Sequence, residues 1–205
     1  GYTYLRNGDY TNARKYLSTA IKRLTRDYTR PYSCEPLYLQ GLTLKALEIY
    51  DEAAETLYRA TWDYAYHAAS YLELARISSM KGNKQKALAE TEESLSTNAR
   101  NNSAIALKAS LQRHMKDYMG ALKTLNNLPG NDPLDFRILN EKYLVLKESG
   151  DQGKANEVLG DLNRKMRDFD QNYLELGIGY MNDGLLNEAK DIFTRFKGRN
   201  PIIMY

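Results

Sequence analysis

Six alanines, Ala13, Ala53, Ala87, Ala121, Ala155 and Ala189, stand 40 residues apart once and then 34 apart four times in succession. A phase held over 136 residues means that the chain repeats one supersecondary unit, each copy too small to bury its own apolar face alone. The clearest copies are GYTYLRNGDYTNARKYLSTAI at 1–21, YLELARISSMKGNKQKALAETEESL at 71–95 and YLELGIGYMNDGLLNEAKDIFTRF at 173–196. The 205 residues are therefore better divided into about six steps of 34 than into one or two globular domains.

Each unit reads as two amphipathic helices joined by a tight turn. In the third, Tyr71, Leu74, Ala75 and Ser78 fall at i, i+3, i+4 and i+7, one face of a helix. Gly82-Asn83 then ends it, and Ala87, Thr91, Ser94 and Leu95 form the inner stripe of the second helix. Gly8, Gly150 and Gly184 take the same turn position elsewhere, with Glu48 and Lys116 standing in for glycine. Small residues at Gly1, Gly41, Ala75, Ala109 and Gly177 are expected to face the alanines of the second helix, and Tyr143 predicts a local widening. Pro133 and Pro201 are placed to start the units that follow them.

This pattern (Gly/Ala, a large apolar residue, Gly-Asp-Tyr, Ala, an aromatic or Leu, Ala, Pro) resembles the tetratricopeptide repeat over essentially the whole chain. The resemblance implies an all-α fold, an α-α superhelix (solenoid) of about six helical hairpins with the first incomplete, whose first helices line a concave groove. The units are expected at about 1–34, 35–67, 68–101, 102–132, 133–168 and 169–201, all in one solenoid over 1–205, with 202–205 starting a further helix. The tyrosine-rich wording of EPLYLQGL, RATWDYAYHAASYLELARIS and NDPLDFRILNE also resembles the repeat segments of large gut-bacterial, Bacteroidetes-like proteins. There such arrays follow a β-rich domain of unknown function, in some cases linked to carbohydrate handling.

The 40-residue step holds six extra residues within Thr25–Cys34. They read either as an extended loop presenting Arg26, Tyr28, Arg30 and Tyr32 to a partner, or as a longer second helix ending at Pro31. Trp62, Tyr64, Tyr66, His67 and Tyr71 crowd the junction of the second and third units, where packing between units is the expected use of aromatics. Neither end carries a polar cap, so the chain reads as a segment of a longer protein whose bare ends are expected to self-associate.

Composition excludes several functions. A net charge of +3 is too small a surplus to demand nucleic acid. Apolar runs such as Tyr143–Leu146 fall far short of the roughly 20 residues needed for membrane insertion. One cysteine, Cys34, excludes an internal disulfide and any multi-cysteine metal site. His67 and His114 belong to different units, which argues against a shared metal or a histidine-based triad. His67 is expected to pack at its junction and His114 to lie on the surface. Gly177-Ile178-Gly179 lacks the strand and third glycine of a dinucleotide site, and Glu92, Glu93, Glu141 and Glu148 are expected on solvated faces. No catalytic, cofactor or metal residue is indicated.

The remaining candidate is the groove. Its inner positions are Tyr38, Leu42 and Lys45, then Leu72, Arg76 and Ser79, then Ala106, Ser110 and Arg113, then Asn140, Leu144 and Lys147, then Leu174, Ile178 and Met181. The candidate binding face comprises Arg6, Tyr38, Leu42, Lys45, Leu72, Arg76, Ser110, Arg113, Asn140, Lys147 and Met181. A stripe of cations over Leu and Tyr suits a protein or peptide partner carrying acids and a few apolar anchors. Relatives that clamp a terminal carboxylate pair Lys with Asn four apart. Tyr38/Leu42, Leu72/Arg76, Ala106/Ser110, Asn140/Leu144 and Leu174/Ile178 do not, which disfavours that subtype. The expected function is a non-catalytic scaffold for a protein or peptide; the alternative is a structural or self-association module of a larger, carbohydrate-related bacterial protein.

Overall fold

The structure is a computed structural model that describes residues 1–27, 29–127 and 134–198. Among the described residues there is no strand and there are twelve helices. They are α1 (Tyr2–Arg6), α2 (Tyr10–Leu24), α3 (Glu35–Ala46), α4 (Tyr50–Ala60), α5 (Tyr64–Met80), α6 (Lys84–Thr97), α7 (Asn102–His114), α8 (Tyr118–Asn126), α9 (Phe136–Glu148), α10 (Gln152–Met166), α11 (Asp170–Asn182) and α12 (Leu186–Arg195). Consecutive helices pack as six hairpins. Tyr28, Pro133, Pro201 and the expected further helix over 202–205 lie outside the described residues.

The alanine phase is the packing axis of the array. Ala13, Ala53, Ala87, Ala121 and Ala155 are fully buried and Ala189 nearly so, as are the small residues Ala75 and Ala109 on the first helices. The glycines on those helices meet a residue one turn beyond the expected alanine. A Cβ on Gly41 would strike Leu57, and one on Gly177 would strike Phe193. A first helix with glycine there thus receives a large side chain from its partner where it has none of its own.

Every hairpin turn holds a residue in the left-handed region, followed by a side-chain cap in four of the six (Asp9, Asn83, Asp117, Asp151) and by Ile49 or Leu185 in the other two. Gly82 (φ +76°) and Gly150 (φ +93°) adopt this conformation without a Cβ penalty. The next residue's amide reaches back five residues, Asn83 N–H to the Ser78 carbonyl and Asp151 N–H to that of Leu146, closing the first helix. Asn83 and Asp151 then cap the second helix, accepting from the amides of Lys86 and Lys154. Glu48 (φ 60°) and Lys116 (φ 64°) hold the same position with a side chain attached. Left-handed geometry costs a non-glycine residue about 1–2 kcal/mol, so Lys116→Gly is expected to stabilise the protein by about 1 kcal/mol, raising Tm by roughly 2–4 °C in a thermal melt.

The inserted segment is no helical extension: α2 stops at Leu24. Pro31 is buried, Tyr32 is fully exposed and Arg30 donates to the Trp62 carbonyl, so the loop is tied to the α4–α5 junction. Cys34, fully buried, starts α3, and its amide donates to Asp63 at 3.0 Å. His67 of α5 lies within the third hairpin, 3.1 Å from the Thr97 hydroxyl of α6 and against the Tyr71 ring.

The sixth hairpin departs from the stack. Between neighbouring first helices, side-chain contacts recur at a fixed offset of 27 or 28 residues, as in Lys45–Glu73, Arg113–Glu141 and Arg137–Ser110. For α11 and α12 the offsets to α9 become 40 and 55, with the Asn140 side chain bonded to the Tyr180 hydroxyl and to Arg195. Packing between α10 and α11 is far thinner than between α4 and α5 or α6 and α7. The change of direction sits at Arg167 (φ 52°) and Asp168 (φ 51°), two successive residues in the left-handed region. The hairpin lies across α9, and its turn reaches α5 and α7.

Candidate functional site

Where the α11–α12 turn arrives, three arginines from three first helices meet it. Arg76 of α5 donates through Nε to Asp183 at 3.0 Å, and Arg137 of α9 reaches the other Asp183 oxygen at 3.0 Å. Arg113 of α7 donates to Glu188 at 2.8 Å, and the His114 ring nitrogen lies 2.7 Å from the same oxygen. The Ser79 hydroxyl donates to the Asp183 carbonyl at 2.7 Å. Gly184 (φ +74°) lies against the backbone of Met80, where a Cβ would come within 2.9 Å of Cα and 3.0 Å of N. Asp183 is almost fully buried although its partners lie up to 107 residues away.

Carboxylates on the first helices complete the network. Glu73 bridges Lys45 and Arg76 at 2.5 Å each. Glu141, fully buried, takes Arg113 at 3.1 Å and has Arg137 at 3.9 Å; Glu148 takes Arg113 at 2.6 Å. The Arg137 guanidinium also stacks on the Tyr180 ring, 3.5 Å from its centroid. Four cations (Lys45, Arg76, Arg113, Arg137) thus face five carboxylates (Glu73, Glu141, Glu148, Asp183, Glu188) in a largely dehydrated setting.

Electrostatics follow this arrangement. Burial by itself would raise the Glu73 carboxyl, but Arg76 and Lys45 more than reverse it and hold it below the usual carboxylate range. Burial opposes ionisation of Glu188 too, yet the hydrogen bonds from His114 and Arg113 hold it down at about 2. A carboxyl lowered in this way contributes stability that is complete above about 4.5, its unfolded value, and that disappears as pH falls from there through about 2. Thermal melts between pH 7 and pH 2.5 should therefore show a loss of stability below pH 4.5 that is smaller in Glu188→Gln. The Cys34 thiol is pushed up by burial and by Asp63, away from nucleophile behaviour.

The expected solvent-facing stripe is corrected at several positions. Arg76 and Arg113 do lie on this face, but both are committed to carboxylates of the chain. Ser110 and Asn140 are fully buried, Ser110 bonded to Arg137 of α9 and Asn140 to Tyr180 and Arg195 of the α11–α12 hairpin. Leu72 belongs to the core between the third and fourth units, with Leu107 and Leu111. Tyr38, Leu42 and Lys45 keep part of their surface, and Arg6, Lys147 and Met181 are exposed. Of the expected solvated carboxylates, Glu141 is buried; His114 is half covered rather than on the surface. Sequence reasoning missed Arg137, Glu73, Asp183 and Glu188. A signal existed: Glu73 and Glu141 each stand two residues before the close-packed position of their units, where a carboxylate needs a partner.

Among the described residues no group of His, Cys, Asp and Glu is arranged to hold a metal, and no helix is long and apolar enough to cross a membrane. No family model and no curated protein matches the chain. Solved structures do. A tetratricopeptide repeat protein from Parabacteroides merdae superposes with a TM-score of 0.75, covering 98% of this chain and 77% of its own, at 17% identity. The chain has the tetratricopeptide-repeat fold. MamA from Desulfovibrio magneticus gives 0.61 over 82% of this chain and 94% of its own at 15% identity. YrrB, described as a TPR protein with an unusual peptide-binding site, gives 0.62 over 92% and 95% at 12% identity. At these identities the tetratricopeptide likeness is one of fold, an all-α solenoid of paired helices.

Proposed function

We propose that this chain is a non-catalytic scaffold that holds a protein partner by an acidic segment on the face lined by its first helices. The observation that carries this reading is the convergence of Arg76, Arg113 and Arg137, from three separate units, on one acidic turn. Planar guanidinium groups held by buried carboxylates are pre-aimed, and a pre-aimed fork loses little side-chain entropy when it takes a carboxylate. The peptide-binding site for which YrrB is described supports the view that this fold carries such recognition. His67 is hydrogen-bonded to Thr97, His114 to Glu188, and the Cys34 thiol is buried.

Arg6 and Lys147 are the exposed cations of the candidate face and form no ion pair among the described residues. Reversing them singly, Arg6→Glu and Lys147→Glu, should weaken binding of acidic peptides at least threefold each in fluorescence polarisation. Unchanged binding by both variants would sink the reading.

A second reading, a structural or self-association module of a larger, carbohydrate-related bacterial protein, is favoured by one observation. Tyr2, Tyr4 and Tyr16 are exposed on the first hairpin, with Tyr4 and Tyr16 stacked at 5.2 Å. Light scattering on Tyr4→Ser/Tyr16→Ser separates the two: loss of a dimer present in the unaltered chain supports self-association.

A further inference from the structure

The α11–α12 hairpin is joined to the rest of the protein in two chemically different ways. Along its length, Tyr173, Leu176, Tyr180 and Ile192 share an apolar cluster with Tyr143, Leu144, Leu162 and Met166 of α9 and α10. At its tip the ties to α5 and α7 are polar: Asp183 to Arg76 and Ser79, and Glu188 to Arg113 and His114. Beside these polar ties, Gly184 lies against Met80, while Leu185 of the turn is buried in the apolar cluster shared with α9 and α10. Apolar and ionic contacts differ in what can replace them. Only the ionic ones can be reproduced by any other chain that brings two carboxylates at the same spacing.

The connection to α10 fits a part that moves. Arg167 and Asp168 both hold left-handed backbone, a conformation that costs each non-glycine residue about 1–2 kcal/mol. Without the tip, Arg76 and Arg113 would keep Glu73, Glu141 and Glu148 and lose only Asp183 and Glu188. The closed arrangement therefore opposes hinge strain to a set of ion pairs, the balance expected of a two-state element.

We propose that the tip of α11–α12 is an internal ligand of the arginine cradle, displaced by an external peptide carrying two carboxylates spaced as Asp183 and Glu188 are. The inference rests on the cradle being a binding face, as proposed above, and adds which segment competes for it. A tethered ligand acts at an effective concentration in the millimolar range, so an external peptide binds with an affinity reduced by the fraction of molecules whose tip has lifted. Weakening the tip raises that fraction and tightens external binding without altering any residue of the cradle.

The test is binding of a fluorescent peptide carrying residues 180–190 (YMNDGLLNEAK) to the full chain and to Asp183→Asn/Glu188→Gln. The variant is expected to bind at least tenfold tighter than the unaltered chain, and a control peptide with Asn and Gln at the two acids to bind neither. Gly184→Ala, which displaces the tip without changing its charge, should tighten binding in the same direction, and circular dichroism checks that both variants stay helical. Equal affinity of the unaltered chain and both variants overturns the internal ligand but leaves the binding face standing. No binding to any of them overturns both, and a control peptide that binds as well as the acidic one overturns carboxylate recognition.

Discussion

Replacing Arg113 with methionine is expected to cost about 4 kcal/mol of stability, within the 3–5 kcal/mol that breaking a buried ion pair from one side generally costs. Arg113 is 3% exposed and holds Glu141, Glu148 and Glu188 together. Its removal leaves Glu141, at 0% exposure, with Arg137 at 3.9 Å as its nearest remaining cation. Most of the loss is thus the stranded carboxylate and not the forfeited attraction. Arg113→Met/Glu141→Leu, which removes both partners, should recover at least half of it. Denaturant titrations of the two variants measure this directly, and a single variant within 1 kcal/mol of the parent would mean that the cluster is far better hydrated than its burial implies.

Gly184→Ala is the second large effect, about 3 kcal/mol, from left-handed backbone with a Cβ and from overpacking against a neighbour that cannot retreat. At Gly82, also left-handed, a Cβ meets nothing within 4 Å; at Gly184 it meets the Met80 main chain. The same substitution at Gly82 should therefore cost only the backbone part. Hydrogen exchange should localise the damage, with faster exchange in α11–α12 and protection kept in α3–α8. Uniform acceleration along the chain would show that the hairpin is not separable from the rest.

Much of the fold was legible because its rules are local. The phase of the buried alanines and the left-handed turn residues each depend on a few adjacent positions, so they recur wherever the pattern does, and capping side chains recur in four of the six units. Even Glu48 and Lys116 could be placed in glycine's position from spacing alone. Of the charged groups of the candidate site, only the cations Lys45, Arg76 and Arg113 were legible. Ala189 keeps the phase of the array, so the sixth unit reads as one more copy, and nothing in its own periodicity shows that it folds back. The fold-back follows from Arg167, which is not a residue type that announces left-handed backbone, from Asp168, a type that visits it only occasionally, and from pairings more than 70 residues apart. Glu73 and Glu141 did mark an acid at a buried register, but which cation answers it is a question of three-dimensional neighbourhood.

The bond between Ser79 and Asp183 also changes how the molecule should come apart. An open array melts as a row of dominoes, each hairpin coupled to its neighbours and free to fray from either end. Joining the third hairpin to the sixth closes a loop of about four hairpins, so the last one cannot fray until contacts with the third and fourth are given up. Heat should then take the third to sixth hairpins in one cooperative step and leave the first two, outside the loop, to peel away earlier. Closing that loop is a long-range event in sequence, which makes it a slow step of folding in an otherwise locally connected chain.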